Sequence, residues 1–232
     1  MNKTKWIVFA AVVVLIFGGI IWANKSSEKP FTGDATKVIT EGPIADHVKG
    51  GKDNKVLIIE YGDFQCPACG TMYQPMKEIV KKYGDKITFV FRNFPLTNIH
   101  PNALAAATAA EAAGLQGKFF EYHNILYENQ DAWKDVTLTK REETFVNYAK
   151  MLGLDENKFK TDLKSKDVGS KIARDRSTGS NAYKVDSTPT FIIDGEKIVG
   201  TDNVDVDKIT KKITDAIAKA YPEEKKNDSS NQ

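Results

Sequence analysis

Cys66 and Cys69 are the only cysteines in this 232-residue chain, and Pro67 and Ala68 separate them. Two thiols at that spacing can form a reversible disulfide, supply half of a zinc site, or pack as inert thiols. The flanking residues bear on the choice. Lys55-Val56-Leu57-Ile58-Ile59-Glu60-Tyr61 is short, apolar and β-branched, which predicts a buried strand. Thr71 to Tyr83 places Met72, Met76, Ile79, Val80 and Tyr83 on one helical face and stops at Gly84. The cysteines therefore fall on the first turn of a helix, where unpaired N–H groups and the positive end of the dipole favour an anion and lower the Cys66 pKa. Pro67 forfeits no hydrogen bond at the first helical position. Redox exchange suits this placement. A structural bridge would close too short a loop to remove much unfolded-state entropy. A closed zinc site needs four ligands, and His47, His100 and His123 are not at finger spacing.

The length bounds one domain, with room for an insertion. An apolar fraction of 41% suffices for a core, and a formal charge of +2 is too small to suggest a nucleic-acid partner. Lys3 and Lys5 precede an apolar run from Trp6 to Ala23, about the length that spans a bilayer. The only candidate cleavage site, Ile21-Trp22-Ala23, has a bulky residue where a small one is wanted, so an uncleaved anchor is favoured over a cleaved signal. The basic flank points the N-terminus to the cytoplasm and the domain outward. The expected location is the cell membrane, single-pass, with the domain on the extracytoplasmic side, or secreted or periplasmic if the segment is cleaved. Disulfides persist in that compartment, so a lone CxxC there is expected to act on other proteins' thiols.

From residue 24 to about 42 the chain reads as a polar linker, with a first short strand expected at Ala35 to Thr40; Gly42 to Asn54 reads as a loop with one turn of helix. Lys86 to Phe94 alternates and is aromatic, a second strand ended by Pro95. Strand, helix, strand at these lengths predicts a parallel pair. His100 to about Lys184 turns helical: Pro101 to Ala113, Lys118 to about Asn129, a helix opened by a capping box at Thr139-Lys140-Arg141-Glu142, a short one capped by Asp155, and one from Asp167 to about Tyr183. Asp194-Gly195 is a hairpin turn between Thr190 to Ile193 and Lys197 to Val199. Asp205 caps a last helix carrying Ile209, Ile213, Ile217 and Tyr221, and the charged tail from Glu223 to Gln232 is expected to be disordered.

In this order the chain resembles the thioredoxin superfamily, and more closely the DsbA-like thiol:disulfide oxidoreductases. The residues that carry the resemblance are Glu60-Tyr61-Gly62-Asp63-Phe64-Gln65-Cys66-Pro67-Ala68-Cys69, Phe91-Arg92-Asn93-Phe94-Pro95-Leu96 with His100-Pro101-Asn102-Ala103, Gln116-Gly117-Lys118-Phe119, and Ser187-Thr188-Pro189-Thr190-Phe191. The resemblance covers roughly Pro43 to Tyr221. It implies an α/β, thioredoxin-like fold (residues 43–95 and 185–222) with an all-helical insertion (96–184); the apolar run from Trp6 to Ala23 adds the expectation of an N-terminal transmembrane helix before it.

By the same resemblance Pro189 follows a cis peptide bond beside the active-site disulfide, and Thr188 contacts substrate through its backbone, with Pro67 and Ala68 also facing substrate. Glu60 takes the position of a buried acid that relays a proton to or from Cys69. Cys66 is the exchanging sulfur and Cys69 the resolving one; the redox-active disulfide Cys66–Cys69 serves in place of a cofactor, and no metal is implied. Implied partners are exported cysteine-containing clients and a quinone-linked membrane reoxidase. Strongly oxidising members carry His where this chain has Ala68, which suggests a milder oxidant; His47, His100 and His123 are expected to be satisfied at the surface or in helix packing. The leading expectation is an oxidase that introduces disulfides into exported proteins. The alternatives are a reductase or isomerase of the same fold, and a non-catalytic chaperone-like binding module.

Overall fold

The computed structural model describes residues 34–199 and 205–222. The Trp6 to Ala23 segment, residues 24–33 of the linker and the 223–232 tail lie outside the described residues. Among the described residues no helix is long and apolar enough to cross a membrane.

At the centre is β2 (Val56–Gly62), with β3 (Ile87–Asn93) parallel on one side and β4 (Thr190–Ile193) antiparallel on the other. β1 (His47–Gly50) pairs antiparallel with β3, and β5 (Glu196–Val199) with β4, giving the order β1-β3-β2-β4-β5. The central strands are buried on both faces, which is why they read as continuous apolar runs. Val56, Ile58, Phe89, Phe91, Phe191 and Ile193 form one core with the helices; Ile59, Tyr61, Val90, Phe94 and Ile192 form a smaller core on the opposite face. Full burial of a side chain such as Phe91 contributes roughly 2–3 kcal/mol.

Helix α1 (Pro67–Tyr83) connects β2 to β3 and buries Cys69, Met72, Tyr73, Met76 and Ile79, a stripe at helical spacing. Between β3 and β4 run α2 (Ala103–Gly114), α3 (Phe119–Glu128), α4 (Gln130–Trp133), α5 (Leu138–Met151), α6 (Glu156–Asp162) and α7 (Lys166–Tyr183). Helix α2 is buried almost all round, because alanine lets neighbours approach closely. Helix α8 (Val206–Ala220) is capped by Asp205, whose Oδ1 accepts from Lys208 N–H at 2.8 Å, and turns Ile209, Ile213 and Ile217 inward.

Three local expectations change. Residues 35–40 form no strand: the Ala35 and Lys37 carbonyls accept from the buried Arg92 guanidinium at 2.8 and 2.7 Å, so they are withdrawn from any ladder. The first strand is β1, inside the stretch expected to be a loop, and it is legible only through its partner because one edge pairing suffices to hold it. It ends at Gly50, whose φ of +79° would bring a Cβ within 2.3 Å of the Ile87 carbonyl oxygen. Helix α5 begins at Leu138 with Thr137 as N-cap, so Thr139 lies in the first turn and caps nothing.

The helices are tied to the sheet by buried charge. Arg92 of β3 donates to Asp46 Oδ2 at 2.8 Å and to the Tyr61 hydroxyl at 3.0 Å. Lys171 of α7 donates to Asp175 at 2.6 and 2.7 Å, and Asp175 Oδ2 accepts from Asn93 N–H at 3.0 Å. Glu111 of α2 accepts from Asn93 Nδ2 at 2.6 Å and pairs with His47 of β1 at 2.8 Å. Desolvation offsets much of the attraction in such pairs, so their main effect is to fix which elements meet at the carboxyl end of β3.

Candidate active site

Cys66 is the N-cap of α1, in extended conformation, with Pro67 at the first helical position. Only 7% of Cys66 is exposed, whereas Pro67 is exposed and Ala68 partly so. Its Sγ lies 3.3 Å from the Thr188 carbonyl oxygen, to which the thiol donates, and Thr188-Pro189 is a cis peptide bond. Hydrogen bonding from the Cys69 thiol, reinforced by the Cys69 and Ala68 backbone N–H groups at the helix start, outweighs burial and brings the Cys66 pKa down to about 6. Cys69 has no exposure, and burial pushes its thiol well above the usual range. The two thiols thus titrate far apart.

Glu60 sits in β2 on the face shared with Val56 and Ile58, opposite Phe91 and Phe191 of the neighbouring strands. Burial, then the nearby Cys66 charge, raises its carboxyl to about 8. It lines a cavity of about 410 Å³ with Tyr73, Met76, Phe89, His123 and Tyr127, and Lys49, Lys77 and Lys81 also border it. His123 is packed among the rings of Phe64, Phe91 and Tyr127, and burial drives its pKa down to about 3. That histidine is neutral packing.

Asp63, Gln65 and Gln130 shape the turn before Cys66, and residue types alone assigned them no role. Asp63 Oδ1 accepts from Gln65 N–H at 2.8 Å, Oδ2 accepts from Leu96 N–H at 2.9 Å, and its main-chain N–H points at Cys69 Sγ at 3.5 Å. An aspartate accepting from the amide two residues on is an Asx turn, a signal present in Gly62-Asp63-Phe64-Gln65. Gln65 accepts from Asn102 N–H at 2.6 Å and donates to the Lys134 carbonyl at 2.7 Å. Gln130, from α4, donates to the Phe64 and Cys66 carbonyls at 2.8 and 2.9 Å; separations of 66 and 64 residues left no local trace. Gln130→Ala is expected to lower the unfolding free energy by about 1–2 kcal/mol in urea titration, the net worth of two such bonds.

Among the described residues no group of three or more His, Cys, Asp and Glu side chains is placed to hold a metal ion. The family model described as Thioredoxin matches residues 43–215. The chain belongs to the thioredoxin family. Its fold is that of Wolbachia pipientis alpha-DsbA1 (24% identity, TM-score 0.63, covering 75% of this chain and 92% of that one). It is also that of oxidised BdbD from Bacillus subtilis (21% identity, TM-score 0.64, covering 78% and 98%). The DsbA-like resemblance read from the motifs is therefore matched by the fold. A curated relative, Na(+)/H(+) antiporter NhaA 1 of Salinispora arenicola, is 36% identical over 176 residues, 76% of this chain but 25% of the antiporter. The chain spans about a quarter of the length of the curated relatives it matches.

Proposed function

We propose that this member of the thioredoxin family is a membrane-anchored, extracytoplasmic thiol:disulfide oxidoreductase that introduces disulfides into exported proteins through Cys66 and Cys69. The observation that carries this reading is the placement of the thiol pair: Cys66 at the N-terminus of α1, its Sγ 3.3 Å from the Thr188 carbonyl before the cis Pro189, with Cys69 fully buried in the first turn behind it.

In the oxidised protein a client thiolate attacks Cys66 Sγ. The Cys66–Cys69 bond breaks, and its electron pair leaves on Cys69 Sγ, which takes up a proton. Glu60, raised to about 8 and so largely protonated at neutral pH, supplies that proton, and the adjoining cavity supports its replenishment from solvent. A second client thiolate then attacks the client sulfur of the mixed disulfide, and Cys66 leaves as a thiolate. Two electrons pass from the client dithiol to the enzyme; a low Cys66 pKa speeds the last step. The Thr188 backbone, alongside Cys66, orients the client segment by strand-like pairing, with Pro67 and Ala68 forming the other lip. Reoxidation falls to a quinone-linked membrane partner, and the apolar segment 6–23 holds the domain at the surface where both act.

A reductive role is the second reading, favoured by the value at Cys66: about 6 lies nearer to thioredoxin, roughly 7, than to DsbA, roughly 3.5. The reduction potential of the full chain, equilibrated with glutathione, separates them. A value more positive than roughly −200 mV is expected, and one near −270 mV, the thioredoxin value, overturns the oxidase.

A further inference from the structure

From Glu60 to Met72 the chain contains no Lys, Arg or His, and it carries two carboxyl groups, Glu60, whose charge would act on Cys66, and Asp63, whose main-chain N–H faces Cys69 Sγ. The helix-start N–H groups and the Cys69 thiol already favour the Cys66 thiolate, and a cation could add to them only from elsewhere in the chain. His100, in the loop after β3, is placed to do so. Its Nδ1 is 2.8 Å from Asp63 Oδ2, and its side chain is 15% exposed. The Leu96 amide binds the same oxygen at 2.9 Å, and the His100 amide donates back to the Leu96 carbonyl at 2.9 Å, which fixes the loop on Asp63. Asp63 in turn contacts both cysteines through its main chain: its N–H faces Cys69 Sγ, and its carbonyl accepts from Cys66 N–H at 3.1 Å.

We propose that His100 is a positioning residue for thiol exchange, which as an imidazolium on Asp63 neutralises that carboxylate and stabilises the Cys66 thiolate. The titratable groups acting on the ring are Asp63 and Cys66; those around the sulfurs are Glu60, Asp63, Cys69 and Tyr127. The hydrogen bond to Asp63, aided by the charges of Asp63 and Cys66, holds the imidazolium above its ordinary pKa against partial burial. Removing the ring charge would leave the Asp63 carboxylate uncompensated, so both effects push Cys66 the same way.

This inference rests on the reading of Cys66 as the exchanging thiol, and the tests separate the two. His100→Gln keeps a hydrogen-bonding side chain opposite Asp63. Thiolate absorbance during a pH titration is expected to show the Cys66 midpoint about one unit higher in H100Q, an opposite charge nearby being worth one unit or more. At pH 7 the equilibrium constant for oxidation of glutathione is expected to fall about fivefold, since a midpoint moved from about 6 to about 7 leaves half of the dithiol's Cys66 protonated. The second measurement uses the unsubstituted full chain. Because coupling is reciprocal, the His100 ring, followed by NMR, is expected to titrate about one unit higher in the dithiol form than in the disulfide form. An unchanged Cys66 midpoint in folded H100Q, or a His100 midpoint indifferent to redox state, overturns the inference. A Cys66 midpoint near that of a free thiol in the unsubstituted protein overturns the parent reading instead.

Discussion

Cys66→Ala is expected to abolish disulfide transfer to a reduced, unfolded client protein, by more than about 10³-fold, the scale on which loss of a covalent nucleophile acts. Cys69→Ala is expected to differ in kind. With no resolving thiol, Cys66 keeps its helix-start N–H groups but loses the Cys69 thiol hydrogen bond, the largest contribution to its low pKa. The variant should therefore accumulate mixed disulfides, visible on non-reducing gels, with a Cys66 that titrates higher than in the parent. A chaperone-like module would behave otherwise: Cys66→Ala would leave its suppression of client aggregation untouched. Disulfide transfer that survives Cys66→Ala would sink the exchange mechanism altogether.

Glu60→Gln is expected to stabilise the fold while impairing the chemistry. The carboxyl titrates at about 8 in the folded chain, mainly through burial, against 4.5 for an ordinary glutamate. A raised folded-state value means that stability is full below about 4.5 and is lost as pH rises toward 8, because the unfolded chain ionises first. At pH 7 the gap from 4.5 corresponds to about 3 kcal/mol, which the isosteric amide does not forfeit. Urea denaturation of both proteins should thus give unfolding free energies that agree near pH 4.5 and diverge progressively up to pH 8, with the variant more stable. Parallel pH profiles would show that Glu60 ionises as readily folded as unfolded. Exchange should slow at least about tenfold, since protonation of the leaving Cys69 loses its donor, and proton relays of this kind are worth 10²–10⁴-fold. A stabilised variant with unimpaired turnover would keep the burial argument and remove the relay.

The pattern of particular segments explains what was legible. Val56 to Tyr61, Met72 to Ile79 and the Asp194-Gly195 turn each carry their signal within a few residues, as β-branching, helical spacing or turn chemistry, and the structure builds β2, α1 and the β4–β5 hairpin there. β1 was not legible, because a four-residue edge strand is held by a partner 40 residues away. Arg92 was visible as a residue but not as the group that takes the Ala35 and Lys37 carbonyls, since nothing local predicts which backbone a buried guanidinium meets.

The same division holds at the site. Residue types and spacing determined that Cys66 and Cys69 lie at a helix N-terminus after a buried strand, because dipole, proline placement and periodicity are local properties of the chain. Glu60's place beneath them came from resemblance, and its burial from the packing of Phe91 and Phe191 on either side. Tertiary structure alone decided that Gln130 holds the Phe64 and Cys66 carbonyls, that the Thr188 carbonyl meets Cys66 Sγ, and that His100 seats on Asp63. Those contacts join segments 37 to 122 residues apart, and they depend on where the sheet and the helices between β3 and β4 bring the chain back. A hydrogen bond is formed by position in space, and a sequence records position only within the reach of a turn or a helix.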